Sequence, residues 1–447
     1  MVKNKLKNNG DKKNYRKLLI TNIVLACLII GGAIFWNLAN AEKPNMQTMA
    51  TVSKGQAEST RKDAGENTEE TVDKIQTGTN RKTAESNTDT EENAETAEDS
   101  KTLTLSMIGD VLLHTPVSKS GLQKNGKYNY DYLFKFIKKE VKSYDVSLLN
   151  EEVLLAGTKF GISGYPQFNG RFEVGNAIEK AGFDVVLHAT NHSMDKGRAG
   201  LLSDLNHWKS AHPKLKVVGM YRTKKESEKI TYVKKHGIKI AILNYTYGTN
   251  GLSLPSDMPF AVNLMTEAKV KKDVKKAKKN ADFVIVCPHW GTEYKNDIDS
   301  YQKKWTKIFL KLKVDLVLGA HPHVIEPVKW VSDGKGHKML VYYSLGNYIN
   351  STARRGAGTY RQYCGGMADV TLTKEEDGKV KITDAKFIPL ITHYGQDRKI
   401  TTYFFRDYTS KKAKKNRLSN QDTTFTFKKA KEHFKSVISK TFLADIE

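Results

Sequence analysis

Five short segments of this 447-residue chain collect carboxylate, carboxamide and imidazole side chains just after apolar runs. They are Gly109-Asp110-Val111-Leu112-Leu113-His114, Asn150-Glu151-Glu152, Thr190-Asn191-His192-Ser193-Met194-Asp195, Pro288-His289-Trp290-Gly291 and Gly319-Ala320-His321-Pro322-His323. Oxygen and imidazole ligands of this kind suit Mn, Fe, Zn or a similar divalent ion. Two such ions about 3.5–4 Å apart make a nucleophile from water at neutral pH and clamp the attacking and leaving oxygens of a displacement. That arrangement needs one bridging carboxylate and imidazoles from several strands. Glu152 or Asp110 supplies the first, His289, His321 and His323 the second, and Asn191 adds a neutral oxygen. His188, His207, His212, His236, His337, His393 and His433 join no such motif and are expected to be structural.

Groups so far apart in sequence need a rigid frame to meet. Residues 103–108, 145–149, 184–188, 238–245, 283–286, 315–318 and 339–343 are short runs rich in Val, Ile and Leu, as buried strands are. Residues 132–141, 174–181, 197–208, 266–281 and 301–312 place apolar side chains at three- and four-residue spacing, which predicts helices between several of those strands. Alternation of this type predicts an α/β fold, with functional residues at the carboxyl ends of strands. Turns at His236-Gly237 and Asp333-Gly334 predict two hairpins and therefore a mixed sheet. Further strands over 368–372 and 382–388 and a helix over 427–438 complete the folded part.

Seven basic residues between Lys3 and Lys17 precede an uncharged, almost wholly apolar run over 18–39. A helix of about 20 apolar residues spans a bilayer, and the basic cluster before it stays in the cytoplasm. The pattern predicts a cytoplasmic segment over 1–17, a transmembrane signal-anchor helix over 18–41, and a single-pass cell-membrane protein whose C-terminal domain is extracellular. Ala39-Asn40-Ala41 also reads as a cleavage site, which would leave the chain secreted. Residues 42–100 are polar and charged with hardly a large apolar side chain, predicting a disordered extracellular linker before a folded ectodomain over 101–447. The formal charge of +24 implies an anionic partner, an acidic polymer or lipid headgroups, and nucleic acid is not expected outside the cell. Val270, Val274, Ala277 and Ala281 recur at helical spacing within the densest basic stretch, so its lysines read as a solvated face. Cys27, Cys287 and Cys364 offer no paired-cysteine metal motif and leave open a single Cys287–Cys364 bridge.

In their order, Gly109-Asp110, Asn150 with Glu152, Asn191-His192 with Asp195 and Gly197, His289-Trp290-Gly291 with Glu293-Tyr294, His321-Pro322-His323 and Tyr343-Ser344-Leu345-Gly346-Asn347 closely resemble the CapA, or poly-γ-glutamate capsule-synthesis, family, a branch of the calcineurin-like metallophosphoesterases. The resemblance covers residues 103–350. It implies a metallophosphoesterase-like β-sandwich flanked by helices, a four-layer αββα fold, with a dinuclear site for two divalent metal ions, Mn, Fe or Zn. It implies Asp110, Glu152, Asn191, His289, His321 and His323 as metal ligands, His192 as general acid toward a leaving oxygen and Asp195 as the group that orients His192. Ser344 and Asn347 read as substrate-binding or loop-forming residues. The superfamily opens on Asp-x-His, whereas the first histidine after Asp110 here is His114, and Glu152 stands where a shorter carboxylate is usual, so metal number and identity stay open. The expectation is a metal-dependent phosphoesterase-like enzyme that makes, exports or anchors an anionic capsule polymer beside membrane synthase subunits. The competing expectation is a non-catalytic scaffold of such a complex that guides polymer along a basic surface.

Overall fold

The computed structural model describes residues 101–444 and 446; the predicted basic segment, anchor and linker over 1–100 lie outside the described residues. The first apolar run becomes β1 (Thr102–Val111), and β2 (Val146–Glu151), β3 (Val185–Leu187) and β4 (Lys216–Val218) follow parallel to it in that order. On the other side of β1 the sheet continues antiparallel through β12 (Cys364–Lys374), β13 (Val380–Tyr394) and β14 (Ile400–Phe404), while β11 (Asn347–Ile349) runs parallel to the end of β1. A second sheet has the order β5 (Thr231–Lys235), β6 (Ile238–Thr246), β7 (Phe283–His289), β8 (Leu316–Leu318), β10 (Lys338–Tyr342), β9 (Val328–Ser332). Its four inner strands are parallel, and β5 and β9 close the edges as the antiparallel arms of the two expected hairpins.

Strand alternation explains how the two sheets share a core. Leu103, Leu105 and Met107 of β1, Val146 and Leu148 of β2, Ile238, Ile240 and Ile242 of β6, and Phe283, Ile285 and Cys287 of β7 belong to one buried cluster. The intervening residues face helices. Ala241, Leu243, Val284 and Val286 pack with Val270, Val274 and Ala277 of α3 (Glu267–Lys278) and with Trp305 and Phe309 of α4 (Ser300–Lys311). Ile108, Leu149 and Val186 pack with Val174, Ala177 and Ile178 of α1 (Glu173–Ala181) and Trp208 of α2 (Gly197–Ala211). The molecule is a mixed α/β fold of two sheets flanked by helices, and each fully buried aliphatic or aromatic side chain contributes about 1.5–3 kcal/mol toward it. The last helix, α5 (Phe427–Val437), ends one residue before its predicted limit and returns Ala430 and Phe434 to the cluster between the sheets.

Local signals account for the helix ends. Thr266 accepts the Lys269 N–H at the start of α3, and Asp299 with Gln302 forms a capping box at the start of α4. One expected helix is absent: residues 132–141 form a 3-10 turn, Asp131–Phe134, and a single helical turn, Lys138–Val141. Their apolar positions Leu133, Phe134, Ile137 and Val141 are nevertheless buried, so the spacing marked the covered face and not the winding. Lys271, Lys272, Lys275 and Lys276 of α3 are exposed. Cys287 and Cys364 are free thiols, both buried, which excludes the bridge between them. Among the described residues no helix is long and apolar enough to cross a membrane.

Candidate metal centre

All five polar segments converge where strands of both sheets end. Asp110 pairs in register with Asn150 on β2 and with Asn347 on β11, and His289 ends β7 and bridges to Ala320 just beyond β8. Two glycines permit this crowding. A Cβ at Gly109 would stand 1.8 Å from the Gly346 carbonyl oxygen, and one at Gly319 would stand 2.1 Å from that of Tyr343. The close approach lets the Asp110 N–H donate to the Gly346 carbonyl at 3.0 Å, which fixes the direction of the carboxylate.

The carboxylate of Asp110 is fully buried. One oxygen accepts from Asn150 Nδ2 at 2.9 Å, and the other lies 3.3 Å from the His321 N–H nitrogen and 3.3 Å from His323 Nδ1. Glu152 is also fully buried, yet neither of its oxygens has a hydrogen-bond partner among the described residues. Its Oε1 faces imidazoles instead, 3.5 Å from His323 Nε2, 3.6 Å from His289 Nε2 and 4.0 Å from His192 Nε2. His289 Nε2 meets Asn191 Oδ1 at 2.9 Å, and the buried His321 Nδ1 has no hydrogen-bond partner among the described residues. Ligand atoms of Glu152, His321 and His323 all lie within 4.8 Å of one another. His321 and His323 adopt φ of 103° and 59°, conformations that cost a non-glycine residue about 1–3 kcal/mol each and that turn both rings into the cluster.

Buried carboxylates without donors are costly unless a cation meets them. Burial raises the pKa of Asp110, helped by the charge of Glu152, and burial likewise raises Glu152 against the pull of His323 and His192. Burial pulls His323 down, but Glu152 and Asp110 outweigh it and raise it to about 10, so without an ion this ring is held as an imidazolium beside the two acids. Burial lowers His289 to about 3 and holds His321 well below its ordinary value, leaving both rings neutral, the form in which imidazole binds a metal. The donor set fits a divalent ion: with bonds of about 2.1 Å, neighbouring ligands stand about 3.0–3.4 Å apart, close to the spacings observed here. A buried His/Glu cluster suited to metal is therefore present.

His192 sits at the rim of this cluster with its Nδ1 2.7 Å from Asp195 Oδ2, and that same oxygen accepts the Phe168 N–H at 2.6 Å. Asp195 does not cap α2, whose N-cap is Lys196 with no side-chain cap. Asn347 Oδ1 lies 3.0 Å from His323 Nδ1, while its Nδ2 donates to the His323 and Gln362 carbonyls. Ser344 Oγ is buried, donating to the Val324 carbonyl and accepting the Gly346 N–H. His114 is set apart, edge-on to Phe168 at 5.2 Å, with its pKa lowered to about 3 by burial and by His323 and His192.

Other contributors had been given no part in the site by the sequence reading, although Thr190 lies in one of the five segments and His188 was expected to be structural. His188 joins the Glu151 carbonyl at 2.8 Å to Asp204 at 2.9 Å, and Thr190 Oγ1 donates to the Glu152 carbonyl at 2.6 Å, so the backbone that carries Glu152 is held from two sides. The only sequence signal was a histidine and an aspartate on separate apolar elements. Tyr247 and Tyr294 place their rings 4.7 Å from His321 and 5.9 Å from His323. Only Tyr294 belonged to a motif.

Residues 104–352 match the family model described as Bacterial capsule synthesis protein PGA_cap. The chain is 29% identical over 261 residues to the Capsule biosynthesis protein CapA of Bacillus anthracis, covering 55% of this chain and 59% of that one. It is 29% identical over 255 residues to the PGA biosynthesis protein CapA of Bacillus subtilis (strain 168), covering 55% and 63%. Each match spans less than two thirds of the relative's own length. Among solved structures it is similar to the NAD nucleotidase of Haemophilus influenzae, with a TM-score of 0.43 and 16% identity over 77% of this chain and 64% of that one. It is also similar to a purple acid phosphatase from yellow lupin seeds, with a TM-score of 0.34 and 10% identity over 69% and 55%.

Proposed function

The chain belongs to the bacterial capsule synthesis PGA_cap family, and from that premise we propose that it is a metal-dependent phosphoesterase-like enzyme serving the synthesis, export or anchoring of an anionic capsule polymer. The proposal takes the fold as a metallophosphoesterase-like αββα sandwich and the ectodomain as tethered outside the cell by the apolar segment near the N-terminus. Membrane synthase subunits and the polymer, or a phosphorylated precursor of it, are the proposed partners. The observation that carries the reading is Glu152, a buried carboxylate that has no hydrogen-bond donor among the described residues and faces three imidazoles.

Asp110, Glu152, Asn191, His289, His321 and His323 would hold one or two divalent ions, Mn, Fe or Zn. A metal there supplies Lewis acidity toward a phosphoryl oxygen and a more acidic water. The remaining work falls to the chain's own groups. Asn150 fixes the rotamer of Asp110, and His188 and Thr190 fix the backbone on either side of Glu152. With Nδ1 engaged by Asp195, His192 turns Nε2 toward the cluster, where its protonated form donates to the departing ester oxygen. Phe168, edge-on to the His192 ring at 4.6 Å, keeps solvent from one side of that proton.

Elemental analysis of the purified full-length chain, beside hydrolysis of bis(p-nitrophenyl) phosphate, tests the proposal. The wild type is expected to retain about one to two equivalents of a transition metal and to turn the ester over. His321→Ala is expected to lose most of the metal and the activity while keeping its far-UV circular dichroism. A well-folded wild type free of metal and inert toward the ester would instead favour the scaffold.

A further inference from the structure

The loop after β11 carries two adjacent arginines that go separate ways. Asn350, Ser351 and Thr352 are buried at its root, directly after the strand that pairs with β1 at Asp110. Gln421 then grips the loop on both sides of its tip: its side chain donates to the Thr352 carbonyl at 3.1 Å and its carbonyl accepts the Gly356 N–H at 2.9 Å. Between these anchors Arg355 reaches the Asn420 carbonyl, away from the cluster. Arg354 is exposed and lays its guanidinium over the Tyr294 ring, 4.1 Å from the ring centre.

Tyr294 is itself held firmly. Its N–H donates to the Pro322 carbonyl at 2.7 Å, in the peptide between His321 and His323, and its φ is 64°. Its ring centre is 5.9 Å from that of His323, so the Arg354 guanidinium stands within about 10 Å of the His323 ring. Among the described residues Arg354 makes no ion pair with a carboxylate, and Tyr294 is its side-chain partner. Arg354 also donates to the Tyr294 side chain, which takes one of the five guanidinium N–H donors; the others remain to match the two oxygens of a phosphate or carboxylate.

We propose that Arg354, presented on Tyr294, binds a second oxyanion of the substrate, so that this site selects chains or precursors bearing a phosphate or carboxylate within about 10 Å of the reacting phosphoester. The inference rests on the phosphoesterase reading of the Glu152 cluster and names its substrate class. Arg354 is a specificity-determining residue here, acting on a part of the substrate that does not react. Tyr247, exposed beside His321, adds an aromatic ring to the site and no charge.

The test uses the full-length chain at about 0.15 M salt, where screening suppresses diffuse attraction to the basic surface. A glutamate oligomer and inorganic tripolyphosphate are each titrated as inhibitors of bis(p-nitrophenyl) phosphate hydrolysis, and their binding is measured directly by calorimetry. For Arg354→Ala the inhibition constant and the Kd of the preferred polyanion are expected to rise about tenfold relative to the KM of the monoanionic ester, with Arg354→Lys between the two. Arg355→Ala is expected to leave both unchanged. Whichever polyanion responds identifies phosphate or carboxylate as the second group. Equal binding of both polyanions by wild type and Arg354→Ala overturns the inference, as does an equal loss in Arg355→Ala. A wild type that binds polyanion through Arg354 yet hydrolyses no ester would refute the phosphoesterase reading separately.

Discussion

His192 is the residue whose surroundings most define a chemical role. Its Nδ1 is taken by Asp195 at 2.7 Å, so the ring orientation and the tautomer follow from that carboxylate. Asp195→Asn keeps a carbonyl oxygen for Phe168 but no longer stabilises an imidazolium. The expected result is a kcat lower by about 10²-fold for phenyl phosphate esters, with metal content unchanged. The deficit should shrink for p-nitrophenyl esters, whose leaving oxygen needs little protonation. An equal deficit for both leaving groups, or a loss of metal, would show that Asp195 serves the fold and not the proton. These groups were legible in the sequence because Asn191-His192 and Asp195 stand together after one strand. His188 and Asp204 were not, since a histidine on β-sheet flank and an aspartate inside a helix carry no spacing signal until the fold brings them to 2.9 Å.

At the scale of elements, the site depends on strands meeting more tightly than side chains allow. β11 reaches the end of β1 only because residue 109 lacks a Cβ. In Gly109→Ala the new methyl would fall on the Gly346 carbonyl oxygen, so β11 must move and take Asn347 and the Asp110 N–H contact with it. Overpacking of this kind costs about 1–3 kcal/mol, and here the displacement acts on the proposed metal ligand Asp110. The variant is expected to melt several degrees lower and to bind metal less tightly; a normal metal affinity would mean that Asp110 is placed without β11. The longer strands and helices could be read from apolar runs of period two and of three to four. The partner strand β11, three residues long, could not, because Asn347-Tyr348-Ile349 has neither length nor alternation. In the segment over 132–141 the apolar spacing marks the buried face, where Phe134 stacks on Tyr348 at 5.3 Å, but the same spacing suits a 3-10 turn followed by one helical turn as well as a continuous helix.

The whole molecule unfolds against a core that both sheets share, so a titratable group buried at one end of it reports on global stability. Glu326 is such a group. It follows the His321-Pro322-His323 loop, is fully buried, and accepts one hydrogen bond, from Gln302 of α4. Burial raises its pKa to about 9, with repulsion from Asp299 and Asp297 added and the Gln302 bond opposing. In the unfolded chain the same carboxyl ionises near its ordinary 4.5. The folded state therefore holds a proton that the unfolded state has released, and its stabilising contribution, complete below pH 4.5, is lost as pH rises toward about 9. The loss proceeds at up to about 1.4 kcal/mol per pH unit. Glu326→Gln keeps the shape and the Gln302 contact without a proton to lose. Thermal unfolding of the two proteins should agree near pH 4.5 and diverge as pH rises, with the variant the more stable at pH 8. A difference in melting temperature that does not vary with pH would mean that Glu326 is ionised in the fold, and that a cation, within the centre or beside it, stands close enough to hold it so.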